Sequence, residues 1–132
     1  MKTENIKFRG KFPKTGEWLY GDLIRNVEGA FAIVPPYEIS MNNYYRNYVV
    51  DKETIGQFTG LYDESGMAVY EGDLLSWYDN SLIEVVWHDA GFCYCNTNNI
   101  MPLRYLDIED RKVIGNIYDN KELLTQEYER ID

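Results

Sequence analysis

Apolar and polar residues alternate along most of this chain, and the three-to-four spacing of a helix is rare. Ile6-Lys7-Phe8-Arg9-Gly10-Lys11-Phe12 keeps a period of two up to Pro13 and predicts a strand, followed by a turn through Lys14-Thr15-Gly16. Glu17 to Ile24 predicts the next strand, with Gly21-Asp22 marking a bulge or bend inside it. Asn26-Val27-Glu28-Gly29 turns the chain back into Ala30-Phe31-Ala32-Ile33-Val34, which Pro35-Pro36 ends by removing ladder donors. Tyr48-Val49-Val50 and Thr54 to Phe58 predict further sheet, as do Met67 to Tyr70 and Asp73 to Tyr78. Helical spacing shows only at the end, where Asp119 or Asn120 caps a segment carrying Leu124, Tyr128 and Ile131.

Two of these blocks occur twice, in the same order. Thr15-Gly16-Glu17-Trp18-Leu19-Tyr20-Gly21-Asp22-Leu23-Ile24 returns as Ser65-Gly66-Met67-Ala68-Val69-Tyr70-Glu71-Gly72-Asp73-Leu74-Leu75, with one residue inserted after the tyrosine. Asp51-Lys52-Glu53-Thr54-Ile55-Gly56-Gln57-Phe58 returns as Asp110-Arg111-Lys112-Val113-Ile114-Gly115-Asn116-Ile117. The repetition predicts a mainly β fold: two related β units packed as one domain over residues 1–132, each a small barrel or sheet-like half. The first unit covers 6–61, the second 62–118, and a short C-terminal helix 119–132. Each half is expected to complete the other, and both Gly-Asp corners are expected to do one backbone job. The glycine takes a conformation closed to other residues, and the aspartate accepts from nearby N–H groups.

The hairpin from Leu82 to Cys95 bears on chemistry. With Asp89-Ala90-Gly91 as a three-residue loop, His88 faces Phe92, Trp87 faces Cys93 and Val85 faces Cys95. Val85, Trp87, Cys93 and Cys95 then share the core face, while Val86, His88, Phe92 and Tyr94 share the other. His88, the only histidine, would point away from both thiols, removing a base for a cysteine nucleophile. The Cys-x-Cys spacing also differs from a zinc knuckle and lacks a fourth ligand. Two cysteines this close make no disulfide framework, so reduced thiols are expected.

The chain has 22 acidic residues against 13 basic ones in 132, a formal charge of −9. That disfavours general nucleic-acid binding, where Lys and Arg supply affinity by releasing counterions. Only a local strip of Lys7, Arg9, Lys11 and Lys14 would work against it. Acidic surface with twelve tyrosines also admits a nucleic-acid mimic acting on a host DNA-binding protein. Glu71 and Asp73, two apart on a strand, admit a metal-dependent hydrolase. No nucleophile elbow, zinc-binding helix motif or phosphate loop is present, so catalytic residues, cofactor-binding residues and metal ligands are all read as none. The remaining candidates are Tyr37, Tyr44, Tyr45 and Tyr48, clustered around an irregular, proline-flanked segment and suited to partner contact. No apolar run spans a bilayer and no secretory leader pattern opens the chain, so no membrane association and a cytoplasmic location are expected.

Read in order, Ile55-Gly56-Gln57-Phe58-Thr59-Gly60-Leu61-Tyr62-Asp63, Tyr70-Glu71-Gly72-Asp73-Leu74 and Val113-Ile114-Gly115-Asn116-Ile117-Tyr118-Asp119-Asn120 resemble the YopX family of bacteriophage and prophage proteins. The resemblance runs from Ile6 almost to Leu124. It implies a predominantly β, phage-borne protein of a bacterial host and supplies no catalytic residues. The resulting expectation is a non-enzymatic factor that contacts a protein partner or a second copy of itself.

Overall fold

In a computed structural model of the protein, residues 1–36, 47–96 and 99–124 are described. Among the described residues ten strands form two five-stranded antiparallel sheets. The chain divides into two compact units, residues 1–58 and 59–132.

The first unit contains β1 (Phe8–Lys11), β2 (Trp18–Arg25), β3 (Phe31–Val34) and most of β4 (Asp51–Tyr62). The N-terminal half of β2 pairs with β1, from Lys11 opposite Trp18 to Phe8 opposite Gly21. Its C-terminal half pairs with β3, from Asp22 opposite Val34 to Arg25 opposite Phe31. The outer edge of β3 is not left open, which limits unwanted strand addition. Ala32 bridges Val49, Ile33 N–H donates to Tyr48 O, and Val50 N–H donates to Phe31 O. The same segment runs straight into β4, which pairs with β1 on the far side. The pairings therefore close into a ring, a small barrel around Ala32, Ile33, Val34, Val50 and Phe58. A bulge between Arg9 and Lys11 lets β4 bend at this point. Thr54 fills it: its hydroxyl accepts from Lys11 N–H at 2.9 Å and donates to Asp51 O at 2.6 Å.

Beyond residue 58, β4 pairs with β5 (Ala68–Tyr70), at the end of the sheet order β3-β2-β1-β4-β5. The second sheet has the order β10-β6-β7-β8-β9, built from β6 (Asp73–Ser76), β7 (Leu82–His88), β8 (Gly91–Cys95), β9 (Ile100–Pro102) and β10 (Val113–Asn116). Its core packs Val69, Leu75, Ile83 and Val85 against Leu103, Leu106 and Ile108. The last three sit in or beside two single 3₁₀ turns, Leu103–Tyr105 and Ile108–Asp110. Neither these turns nor β9 is foreshadowed by the alternation pattern. Residues 121–124 are helical; the rest of the segment expected as the C-terminal helix, 125–132, lies outside the described residues. Asn120 precedes the helical residues, but the Asn120 side chain accepts from Asn116 N–H at 3.0 Å instead of capping the first turn.

The two Gly-Asp corners differ, against the expectation of one shared job. In the first unit the strand runs unbroken through Gly21-Asp22 while changing partner from β1 to β3. A Cβ on Gly21 would overlap the carbonyl oxygen of Val34, so close backbone approach excludes a side chain there. Asp22 stands exposed. In the second, the inserted Glu71 breaks the strand into β5 and β6, and Gly72 turns at φ +95°. Gly72 N–H donates to Val85 O and its carbonyl accepts from Ile117 N–H. Asp73 is buried, with 2% exposure.

Candidate functional site

Of the two carboxylates that invited a catalytic reading, Asp73 binds backbone. An Asp73 carboxylate oxygen accepts from Tyr70 N–H at 2.7 Å, bracing the corner on the residue three positions earlier. Glu71 lies in the turn and not on a strand beside Asp73, so the proposed two-apart strand pair does not form. Its electrostatic neighbour is Glu84: burial first, and then the charge of Glu71, push the Glu84 carboxyl up. Glu84 stands opposite Cys95 on β8. The Cys95 thiol is likewise raised, by burial, by Glu84 and by Cys93, which leaves it less nucleophilic at neutral pH.

Asp63, which alternation alone does not single out, is more deeply committed. One carboxylate oxygen accepts from Ser65 N–H and Met67 N–H, both at 2.8 Å, and the other from Val113 N–H at 2.9 Å. Burial alone would raise this acid. Hydrogen bonds from Val113, Met67 and Ser65 outweigh it and hold the carboxyl below its ordinary value. A tight turn followed by a return strand is the local pattern, but Val113 lies 50 residues further on.

The β7–β8 hairpin corrects the register expected from sequence. Its loop has two residues, Asp89 and Ala90, at φ +50° and +64°, so Gly91 belongs to the strand. Two left-handed residues match the twist of the flanking strands, the reason such loops prevail in hairpins. His88 therefore pairs with Gly91, Trp87 with Phe92, Val86 with Cys93, Val85 with Tyr94 and Glu84 with Cys95. The faces exchange members accordingly. Val85, Phe92 and Tyr94 pack on the core from one face, which half-exposed Trp87 shares, while His88 shares the other with Cys93 and Cys95. The imidazole reaches Asp89, 3.5 Å away, and not a thiol. Among the described residues no group of three His, Cys, Asp or Glu side chains comes together to hold a metal ion.

Aromatic rings and cations are brought together instead. In the first unit Lys7, just before β1, and Arg9 and Lys11 within it each lie over a ring. The Lys7 ammonium lies 4.5 Å from the Phe58 ring centre, the Arg9 guanidinium 4.6 Å from Trp18, and the Lys11 ammonium 5.6 Å from Trp18. Arg9 is 5% exposed, so this strip lids its own rings, while Lys14 stands apart in the exposed turn. In the second unit Trp87 meets Phe92 edge-on at 4.9 Å, and Tyr94, two residues along β8, lies 5.8 Å from Trp77. Trp77 meets Tyr78 at 4.9 Å, and Arg111 stacks over both, at 4.6 and 4.4 Å. These five rings form a row along the edge of the core, solvent-facing at both ends: Trp87 is 50% exposed and Tyr78 62%. Of the tyrosines singled out from sequence, Tyr37, Tyr44 and Tyr45 lie outside the described residues. Tyr48 is half-buried, and its carbonyl pairs with β3.

Charge divides as unequally as the rings do. Residues 1–58 carry eight Lys or Arg against seven Asp or Glu; residues 59–132 carry five against fifteen. The excess acid belongs to the second unit.

A family model described as YopX protein matches residues 7–125. The chain belongs to the YopX family. Among solved structures, this YopX-family chain is similar to protein EF1440 from Enterococcus faecalis. The two are 24% identical, with 90% of this chain and 97% of that chain covered at a TM-score of 0.59. At that identity the likeness shows a shared fold. No curated protein sequence matches the chain. No helix among the described residues is long and apolar enough to cross a membrane.

Proposed function

We propose that this YopX-family chain is a phage- or prophage-borne protein that acts without catalysis in the host cytoplasm, by contacting another protein. The carrying observation is that residues 59–132 combine exposed rings with a strong acidic excess in their sequence. Tryptophan, tyrosine and arginine are the side chains that carry most energy at protein interfaces. The buried carboxylates support this reading, because Asp63 and Asp73 are occupied by backbone N–H groups. Neither cofactor nor metal enters the proposal, and the partner is a second protein or a second copy of this chain.

Affinity capture of the tagged chain from induced cells, beside a Trp87→Ala/Tyr78→Ala variant, tests it. A protein recovered with the wild type and lost with the variant supports contact as the function. Turnover of nucleotides or phosphoesters by the purified chain, abolished by Glu71→Gln, contradicts it and returns the hydrolase reading.

The acidic excess favours one narrower reading, a nucleic-acid mimic that occupies a host DNA-binding protein. It requires that the captured partner bind DNA and release it when the chain is added.

A further inference from the structure

We infer that the ring row of the second unit, Trp87-Phe92-Tyr94-Trp77-Tyr78, is a docking surface for a cationic protein segment, one that presents arginine or lysine. The inference rests on the proposal that the chain works by protein contact, and it names the chemistry of the partner.

Three observations select a cation. First, the molecule already pairs these rings with guanidinium. Arg111 covers Trp77 and Tyr78 at one end of the row, and outside the row Arg104 lies 4.8 Å from the Tyr105 ring. Second, the Trp87 end holds no such partner among the described residues. Trp87 is half-exposed, and among the described residues no cation lies over it. In the first unit, by contrast, Lys7, Arg9 and Lys11 already cover Phe58 and Trp18. Third, an exposed acid closely follows each solvent-facing end in sequence, Asp89 lying 3.5 Å from His88. Asp79 follows Tyr78, and Asp89, its side chain 91% exposed, lies two residues after Trp87. Both occupy left-handed turns, at φ +59° and +50°. A ring face with a carboxylate beside it attracts a cation through its quadrupole and through ordinary charge.

The alternatives fit less well. Fifteen acidic residues against five basic ones in this unit repel nucleic-acid phosphates. A two-fold symmetric pairing of the same face would set the acidic excess of one copy against that of the other.

The test is calorimetric titration of the full chain with three ten-residue peptides alternating glycine with arginine, lysine or glutamate. The inference predicts that the arginine peptide binds and weakens with added salt, and that the glutamate peptide does not bind. Trp87→Ala should weaken arginine-peptide binding about tenfold, with Trp87→Phe restoring much of it because the ring face returns. Circular dichroism confirms that the half-exposed substitutions leave the fold intact. Failure of the arginine peptide to bind overturns the inference. So does equal binding by wild type and Trp87→Ala, which would show attraction by net charge alone. A dimer seen by sedimentation and lost in Trp87→Ala would assign the row to a second copy. The last two outcomes leave protein contact standing as the function, whereas catalytic turnover would remove that too.

Discussion

Gly21-Asp22 and Gly72-Asp73 read alike in the sequence, and both mark the point where a strand changes neighbours. The first passes from β1 to β3 without a break. The second stops, turns at Gly72 and resumes as β6 beside β7. One extra residue, Glu71, separates the two outcomes. It supplies the length to leave the ladder, and the aspartate that follows swings inward to accept from Tyr70. A shared motif thus marks where the chain changes partner, while local spacing decides what each side chain does. The glycines differ correspondingly. Gly21 is required because a carbonyl passes too close for a Cβ, Gly72 because the backbone must turn left-handed.

Substitutions can break or sharpen this contrast. The largest effect is expected for Gly21→Ala, whose methyl meets the backbone of Val34 and can be admitted only by moving a strand. A loss of about 3 kcal/mol or more in urea denaturation is expected. Gly72→Ala meets an unfavourable backbone angle, and should cost about 1–2 kcal/mol. Equal costs would mean that the two glycines serve one purpose after all.

Asp63 comes next. Asp63→Ala leaves three N–H donors without their carboxylate, and a loss of about 2–3 kcal/mol at pH 7 is expected. The sign with pH follows from its lowered acidity. Stabilisation by the ionised group is complete above the ordinary value of 3.8 and is lost as pH falls through the lower folded value. The gap between wild type and Asp63→Ala should therefore narrow in acid, measured by urea midpoints at pH 7 and below pH 3. A constant gap would show that the charge contributes nothing.

The smallest effect, of opposite sign, is expected at Glu84. Its carboxyl is raised by burial and by Glu71, so its contribution is complete below the ordinary value of 4.5 and is lost as pH rises through the folded value. Glu84→Gln should be more stable than wild type at pH 8 and nearly equal to it at pH 4. A thermal melt at each pH checks this.

Much of the fold was legible because sheet formation leaves a local trace. Alternation marked the first two strands, and Pro35-Pro36 marked the end of the third. The hairpin was legible but its register was not. Asp-Ala departs from the Asn-Gly and Asp-Gly pairs that announce a two-residue loop, and counting Gly91 into the turn shifts every partner by one. That single shift exchanged the faces of the β8 residues, moving Phe92 and Tyr94 to the side of Val85 and both thiols to the side of His88. β9, three residues long, and the 3₁₀ turns around Leu103 and Ile108 have too little regularity to reveal themselves. The candidate site was the least legible part. Its ring row draws on the β6–β7 connection and two strands, and whether Tyr94 or Cys93 faces the core depends on the register that local pattern misjudged.

The claim that one insertion separates a structural aspartate from a solvent-facing one is tested most directly by comparing Asp73→Ala with Asp22→Ala in urea denaturation at pH 7. Asp73→Ala orphans the Tyr70 N–H in a buried corner and should cost about 2–3 kcal/mol, whereas Asp22→Ala should stay within about 0.5 kcal/mol. Equal losses at the two positions would contradict the account.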